Sequence, residues 1–274
     1  MFYNISKKYS CEIIYSMTSN LTLLDDTIIS LMKKYNISTQ ISIDGTREQH
    51  DKRRITKNGK GTYDVIMNNL KKLKEAGLKE NVVIRINLDR YNLMEAENIL
   101  MTVRDYSNDI YFGFLDTYKG FNDCFSDNCV SSDILPSVIS NELDQLIAKY
   151  DLVVPVHFGK KSPCAMNSEN KFFVDCYLNV YKCELLLNQP EASIGRISDT
   201  GTLIYSSGFY TQMGRSPMAF AECMICKLLP ACAGGCAAKP YIKDNKKDGI
   251  INKKHCEITE EQLLIYLQEY VNMQ

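Results

Sequence analysis

The 274-residue sequence predicts an α/β protein with a parallel sheet, followed by a cysteine-rich module. Three observations carry this. Strand-like and helix-like segments alternate as far as residue 116, with the helix-length connections that parallel strands need. Polar residues collect at the C-terminal ends of the strands: Asp44-Gly45, Asn87 with Asp89, and Leu115-Asp116. In parallel α/β folds that edge holds the ligand. From Cys164 onward the alternation stops and cysteines take over.

The elements follow in chain order. Asp25 and Asp26 open a helix whose apolar residues Ile28, Ile29, Leu31 and Met32 recur at helical spacing. Residues 38–44 alternate Gln40, Ser42 and Asp44 with Ile41 and Ile43, a strand ended by Gly45. Thr62 is the expected cap of a helix with Val65, Ile66, Leu70, Leu73 and Ala76 on one face, closed by Gly77. Residues 82–88 (VVIRINL) read as a strand, and Asn92 with Glu95 as a capping box for a helix through Leu100. Residues 110–116 (IYFGFLD) form the next strand. Residues 117–134 are polar and turn-rich, Leu135 to Ile147 is amphipathic, and Thr259 with Gln262 opens a last helix through Leu263, Leu264, Leu267, Tyr270 and Val271.

Composition narrows the function classes. The net charge of −1 gives no electrostatic case for nucleic acid or acidic lipid. The opening MFYNISKKYSCEIIYS has no apolar core of a signal peptide, and no apolar run approaches the ~18 residues that span a bilayer. The expectation is a cytoplasmic protein without membrane or nucleic-acid partners.

Eleven cysteines without a signal peptide fit a reducing compartment. Four of them, Cys223, Cys226, Cys232 and Cys236, read C-x2-C-x5-C-x3-C, with Pro230 and Gly234-Gly235 inside the run to let the backbone turn sharply. Thiolates so spaced are soft donors for a metal or cluster. A disulfide scaffold, structural zinc and iron–sulfur compete. The odd count and the chain length weigh against disulfides. Zinc more often shows two C-x2-C or Cys/His pairs, and His50, His157 and His255 all lie outside the run.

The block ISIDGTREQHDKRR, followed by GKGTYDVIMNNLKKLKEAG and VVIRINLDRYN, resembles the middle of the partial TIM barrel of radical SAM (S-adenosylmethionine) enzymes. YSMTSNLTLL just upstream resembles the strand and turn that precede it. The tail from Cys164 through NVYKC and the cysteine run to Cys256 resembles the SPASM module, which carries auxiliary 4Fe-4S clusters in peptide-modifying and sulfatase-maturing radical enzymes. The family's Cys-x3-Cys-x2-Cys, which holds the cofactor-cleaving cluster, has no counterpart in these residues, and neither has its Gly-Gly-Glu-type segment; Cys11 stands alone. The resemblance therefore implies an incomplete barrel over 1–120 without its first two βα units, a linking loop and helix over 121–160, and a SPASM domain over 161–274. It also implies an N-terminally truncated maturase, inactive by itself in reductive cleavage.

Residue by residue, the resemblance places Ser42 and Arg54 at cofactor-contacting positions and Leu115 where a side chain packs on the adenosyl group. It makes Cys223, Cys226, Cys232 and Cys256 ligands of one auxiliary cluster, and Cys164, Cys183 and Cys236 ligands of the other. Cys176 is either a fourth ligand or a bystander, and Leu178 stands where the family carries glycine. Glu184 falls where sulfatase maturases place an acidic general base. On residue type alone, Ser42 is an ordinary sheet residue, Arg54 a surface arginine and Glu184 a turn carboxylate. Cys11, Cys124, Cys129 and His50 read as structural. The implied chemistry is hydrogen abstraction by a 5′-deoxyadenosyl radical, installing a thioether or carbon–carbon crosslink on a ribosomally made peptide. The alternatives are an anaerobic sulfatase-maturing enzyme, or a non-catalytic iron–sulfur or zinc module that is half of a split enzyme. Implied partners are a peptide or protein substrate, an electron donor and an upstream half carrying Cys-x3-Cys-x2-Cys.

Overall fold

Strands β1 (Ser16–Ser19), β2 (Ser38–Ile43), β3 (Val82–Leu88) and β4 (Asp109–Phe114) pair in chain order into one sheet that is parallel throughout. The computed structural model describes residues 8, 10–89, 91–114, 144–150, 152, 164–238, 260 and 264. Two units divide the chain: Met1–Thr117 with Cys124–Pro155, and Tyr118–Asp123 with Val156–Gln274.

In the first unit the crossovers carry helices α1 (Asp26–Tyr35), α2 (Arg47–Arg53), α3 (Tyr63–Glu75) and α4 (Ala96–Val103). Ile41, Ile43, Ile84, Ile86 and Leu88 from the strands meet Met32, Ile66, Leu70, Leu73, Ile99 and Leu100 from the helices in one core. The alternation of β2 explains the sidedness: Thr39, Ile41 and Ile43 are buried, while Ser38, Gln40 and Ser42 are half-buried on the opposite face. Helices on one face leave the other polar.

Local chemistry sets most helix ends as expected. Asp25 caps α1, its Oδ1 accepting the Ile28 N–H at 2.8 Å, a bond worth about 1 kcal/mol. Two caps differ from expectation. Thr62 precedes α3, but its hydroxyl donates to the Arg54 carbonyl at 2.8 Å, and Asp51 Oδ1 accepts the Tyr63 N–H instead. Asn92 spends its side chain on the Asp89 loop, so a 3-10 turn (Leu93–Glu95) precedes α4 and no capping box forms. Helix α5 (Asp144–Tyr150) carries the end of the predicted amphipathic segment; the residues before it lie outside the described set. Of the last predicted helix only Glu260 and Leu264 are described, and both are helical.

The second unit holds short strands β5 (Phe173–Val174), β6 (Asn179–Tyr181), β7 (Gly195–Ile197) and β8 (Leu203–Tyr205) in one antiparallel sheet. Helices α6 (Ser207–Met213), α7 (Ala221–Met224) and α8 (Leu229–Cys232) follow. Its core gathers Met166, Tyr181, Leu186, Ala192, Ala237 and Ala238, with Cys164, Cys183 and Cys236 packed against it.

Candidate functional site

At the C-terminal edge of β2 and β3, two carboxylates organise the polar residues. Arg54 grips Asp44 with two bonds, Nε to Oδ2 at 2.6 Å and Nη2 to Oδ1 at 3.2 Å, and Asn87 Nδ2 donates to the same Oδ1 at 2.6 Å. Arg53 pairs with Asp89, whose Oδ1 accepts the N–H groups of Tyr91 and Asn92. Asp44 is 6% exposed and Asp89 fully buried, so each charge needs this compensation. Gly45 makes the turn possible: its φ is +124°, and a Cβ there would lie 2.5 Å from Gln49 Oε1. Gln49 Oε1 accepts the Thr46 N–H at the start of α2.

His50 is fully buried beneath this edge. The Asp44 N–H donates to its Nδ1 at 3.2 Å, which puts the ring proton on Nε2, 3.2 Å from Thr62 Oγ1. Burial lowers its pKa first; the Asp44 and Asp51 charges oppose that, and Arg54 and Arg53 reinforce it. His50 is thus a neutral tie between β2 and α3, as its reading as structural expects.

Ser42 lies on the polar sheet face, paired in register with Arg85. Among the described residues no hydrogen bond joins Ser42 to Arg54. Ser16, Thr18, Ser38, Gln40 and Val83 line an open depression on this sheet, and Tyr111 donates to Gln40 Oε1 at 2.6 Å. Arg85 belongs to no motif; its one signal in the sequence is a charge inside VVIRINL at an alternate position from the isoleucines. Its Nε is buried without a partner among the described residues, and Gly113 on β4 leaves it room: a Cβ there would lie 2.4 Å from that nitrogen. The face therefore offers an arginine, hydroxyls and an amide to a polar, anionic guest. Leu115 lies outside the described residues.

In the second unit Cys164, Cys176, Cys183, Cys226, Cys232 and Cys236 are free thiols. Cys183 is pushed up to about 11 by burial, opposed by a bond from the Leu185 N–H and reinforced by Cys236, Cys164 and Glu184. Cys164, Cys183 and Cys236 pack against the same apolar cluster, with Cys183 feeling the charge of each of the other two. Cys223 is buried in α7, while Cys226 and Cys232 flank the next turn. Among the described residues no three His, Cys, Asp or Glu side chains are gathered closely enough to hold a metal ion, and Cys256 lies outside them. Free soft thiols at several points of one compact segment nevertheless suit a thiolate-ligated cluster as a donor set.

Cys176 is exposed on the β5–β6 turn, and Glu184 is exposed with no side-chain partner among the described residues. Lys182, unmarked in the sequence, is fully buried, donates to the carbonyls of Ser168 and Lys171, and stands 4.5 Å from the Phe172 ring centroid. Burial lowers its pKa, with Glu169 and Cys164 opposing.

Residues 3–103 match the model of the Radical SAM superfamily. A curated relative, the cysteine-type anaerobic sulfatase-maturating enzyme of Clostridium novyi (strain NT), is 24% identical over 274 residues, covering 91% of this chain and 72% of that protein. Among solved structures, histidine-tagged anSMEcpe with bound AdoMet superposes with a TM-score of 0.73 at 17% identity, covering 99% of this chain and 75% of that one. Native anSMEcpe with bound AdoMet and Kp18Cys peptide gives 0.67 at 16%, covering 99% and 79%. The chain shares their fold and is similar to radical SAM proteins of the maturase type.

Proposed function

We propose that this chain acts in sulfatase maturation of the anaerobic, radical SAM kind, modifying a protein or peptide substrate. The observation that carries the reading is the likeness to the cysteine-type maturating enzyme over 91% of the chain. It favours that activity over thioether or carbon–carbon crosslinking of a ribosomally made peptide, the first expectation from the sequence.

The four-stranded sheet is read as the wall of an incomplete barrel. A sheet whose strand order follows chain order, with helices on one face, curls in that way. The polar face and the Asp44 edge would then receive AdoMet, with Ser42, Arg54 and Leu115 as its contacts. Arg54 arrives preorganised, because Asp44 and its own bonds fix the guanidinium plane. AdoMet next to a reduced cluster supplies hydrogen-atom abstraction. Glu184, exposed and without a side-chain partner among the described residues, is the proposed base that takes a proton from the substrate. Cys164, Cys183, Cys236, Cys223, Cys226, Cys232 and Cys256 would hold auxiliary 4Fe-4S clusters in a SPASM module, with Cys176 as an added ligand; an electron donor completes the cycle. Free thiols suit a reducing compartment such as the cytoplasm, and no helix among the described residues is long and apolar enough to cross a membrane.

The 274 residues contain no Cys-x3-Cys-x2-Cys, so the ligands of the cleaving cluster are placed outside them. The test is anaerobic reconstitution with iron and sulfide, then dithionite and AdoMet. The 274-residue chain alone should yield no 5′-deoxyadenosine above a protein-free control. Adding a polypeptide that carries Cys-x3-Cys-x2-Cys, with a sulfatase peptide containing the target cysteine, should yield 5′-deoxyadenosine and a mass change at that cysteine. A crosslinked product would restore the peptide-crosslinking reading. Cleavage by the chain alone would overturn the placing of the ligands.

A further inference from the structure

Arg215 is 7% exposed, and among the described residues two of its three guanidinium nitrogens, Nε and Nη1, have no hydrogen-bond partner. The third, Nη2, donates to the Gly234 carbonyl at 2.9 Å. A buried guanidinium with one neutral acceptor is costly: desolvation takes several kcal/mol that a single carbonyl does not return. No carboxylate among the described residues pairs with it. A cation kept in such a place calls for an anion that arrives later.

The surroundings say which. Gly234 lies inside the turn between Cys232 and Cys236, and the Gly235 N–H closes that turn on the Cys232 carbonyl at 3.0 Å. Pro217 packs under the same glycine, where an added Cβ would come within 2.6 Å of it. From Pro217 a 3-10 turn (Pro217–Ala219) leads to Phe220, whose carbonyl accepts the N–H of Cys223. Arg215 is thus fixed at the joint between the segment leading to Cys223 and the Cys232–Cys236 turn. On its other side the Arg215 N–H is tied to the Gln212 carbonyl, and Gln212 Nε2 to the Ala192 carbonyl at 3.1 Å. The guanidinium is held in place by neighbours on both sides, yet most of its donors are idle.

We infer that Arg215 is the built-in counter-cation of the thiolate-ligated centre held by this cysteine run, donating hydrogen bonds from Nε and Nη1 to its sulfurs. The inference rests on the iron–sulfur reading above. Cysteine thiolates around an iron–sulfur core leave a net negative charge that grows by one electron on reduction, so a fixed cation beside it favours the reduced form. Arg215 touches no substrate; it is a positioning and potential-setting residue. No atom is transferred: the electron arriving at the centre is matched by standing positive charge.

The protein for the test is the full chain, reconstituted anaerobically with iron and sulfide. Arg215→Met and Arg215→Lys should keep the iron and sulfide content of the parent. At a fixed potential near the midpoint, the Met variant should show about a tenfold lower reduced-to-oxidised ratio, as expected for losing a charge-assisted bond. For a one-electron couple that is a negative shift of about 59 mV, read by EPR-monitored titration. The Lys variant should recover part of the shift. An independent readout needs no variant: in parent protein carrying guanidinium-15N arginine, the reduced centre should show a nitrogen hyperfine coupling that Arg215→Lys abolishes. Loaded protein with no such coupling, or with an unmoved potential in the Met variant, overturns the role of Arg215 and leaves the cluster reading standing. Parent protein that takes up neither iron nor sulfide overturns both.

Discussion

His50 accepts the Asp44 N–H and faces Thr62 from a fully buried position, so its ring must stay neutral for both contacts to hold. Its pKa is lowered chiefly by burial. The unfolded chain, with an ordinary value near 6.5, therefore takes up the proton before the folded one does. The contribution is fully present above about pH 6.5 and is lost as pH falls from there toward the lowered native value. Urea midpoints should accordingly fall between pH 7 and 5.5, ahead of carboxylate titration. His50→Gln should have a lower midpoint at pH 7 and a flatter dependence across that interval; an equally steep fall in the variant would contradict the assignment. At this scale the sequence revealed the charged edge, because SIDG and the arginines after it sit at a strand end. It did not reveal that Arg54 and Asn87 share one carboxylate, since that depends on the β2–β3 register. Arg85, Lys182 and Arg215 were silent for a related reason: the burial of a charged side chain, and whether its nitrogens find acceptors, is a property of the packed chain, not of a spacing.

The secondary-structure elements were largely visible as periodicity, and the exceptions are places where a side chain found a tertiary partner. Thr62 and Asn92 have cap-forming side chains, yet Arg54 and Asp89 outcompete the helix ends for them. The two leucines in left-handed backbone show what periodicity omits. Leu178, at the position the family resemblance gives to glycine, has φ +67° on the β5–β6 turn and is 40% exposed. Leu21, at the loop after β1, has φ +54° but is only 2% exposed, and its carbonyl accepts Asn69 Nδ2 at 2.9 Å. A left-handed non-glycine residue costs roughly 1–2 kcal/mol, against about 0.5–1 kcal/mol of extra chain entropy for glycine. Leu178→Gly should therefore stabilise by about 0.5–1 kcal/mol. Leu21→Gly forfeits a buried side chain worth about 2–5 kcal/mol and should destabilise despite the same backbone relief. Urea unfolding of the two variants side by side decides the matter: equal losses would mean that backbone strain at Leu178 is absent.

For the molecule as a whole, the parallel sheet was legible because polar strand ends and helix-length crossovers recur, and the second unit because its cysteines replace that rhythm. Its antiparallel sheet was not legible, since strands of two or three residues carry no period. Nor does spacing alone decide between zinc and iron–sulfur, because both take thiolates. The chain shares the fold of anSMEcpe over 99% of its length. Cys164, Cys183 and Cys236 pack against one apolar cluster, and a buried arginine is lodged against the Cys232–Cys236 turn. Metal content therefore tests the central claim most directly. The full chain, purified without oxygen and reconstituted with iron, sulfide and zinc all present, should be brown and contain iron and acid-labile sulfide together. Stoichiometric zinc, with neither iron nor sulfide, would contradict the iron–sulfur centre and the radical chemistry built on it.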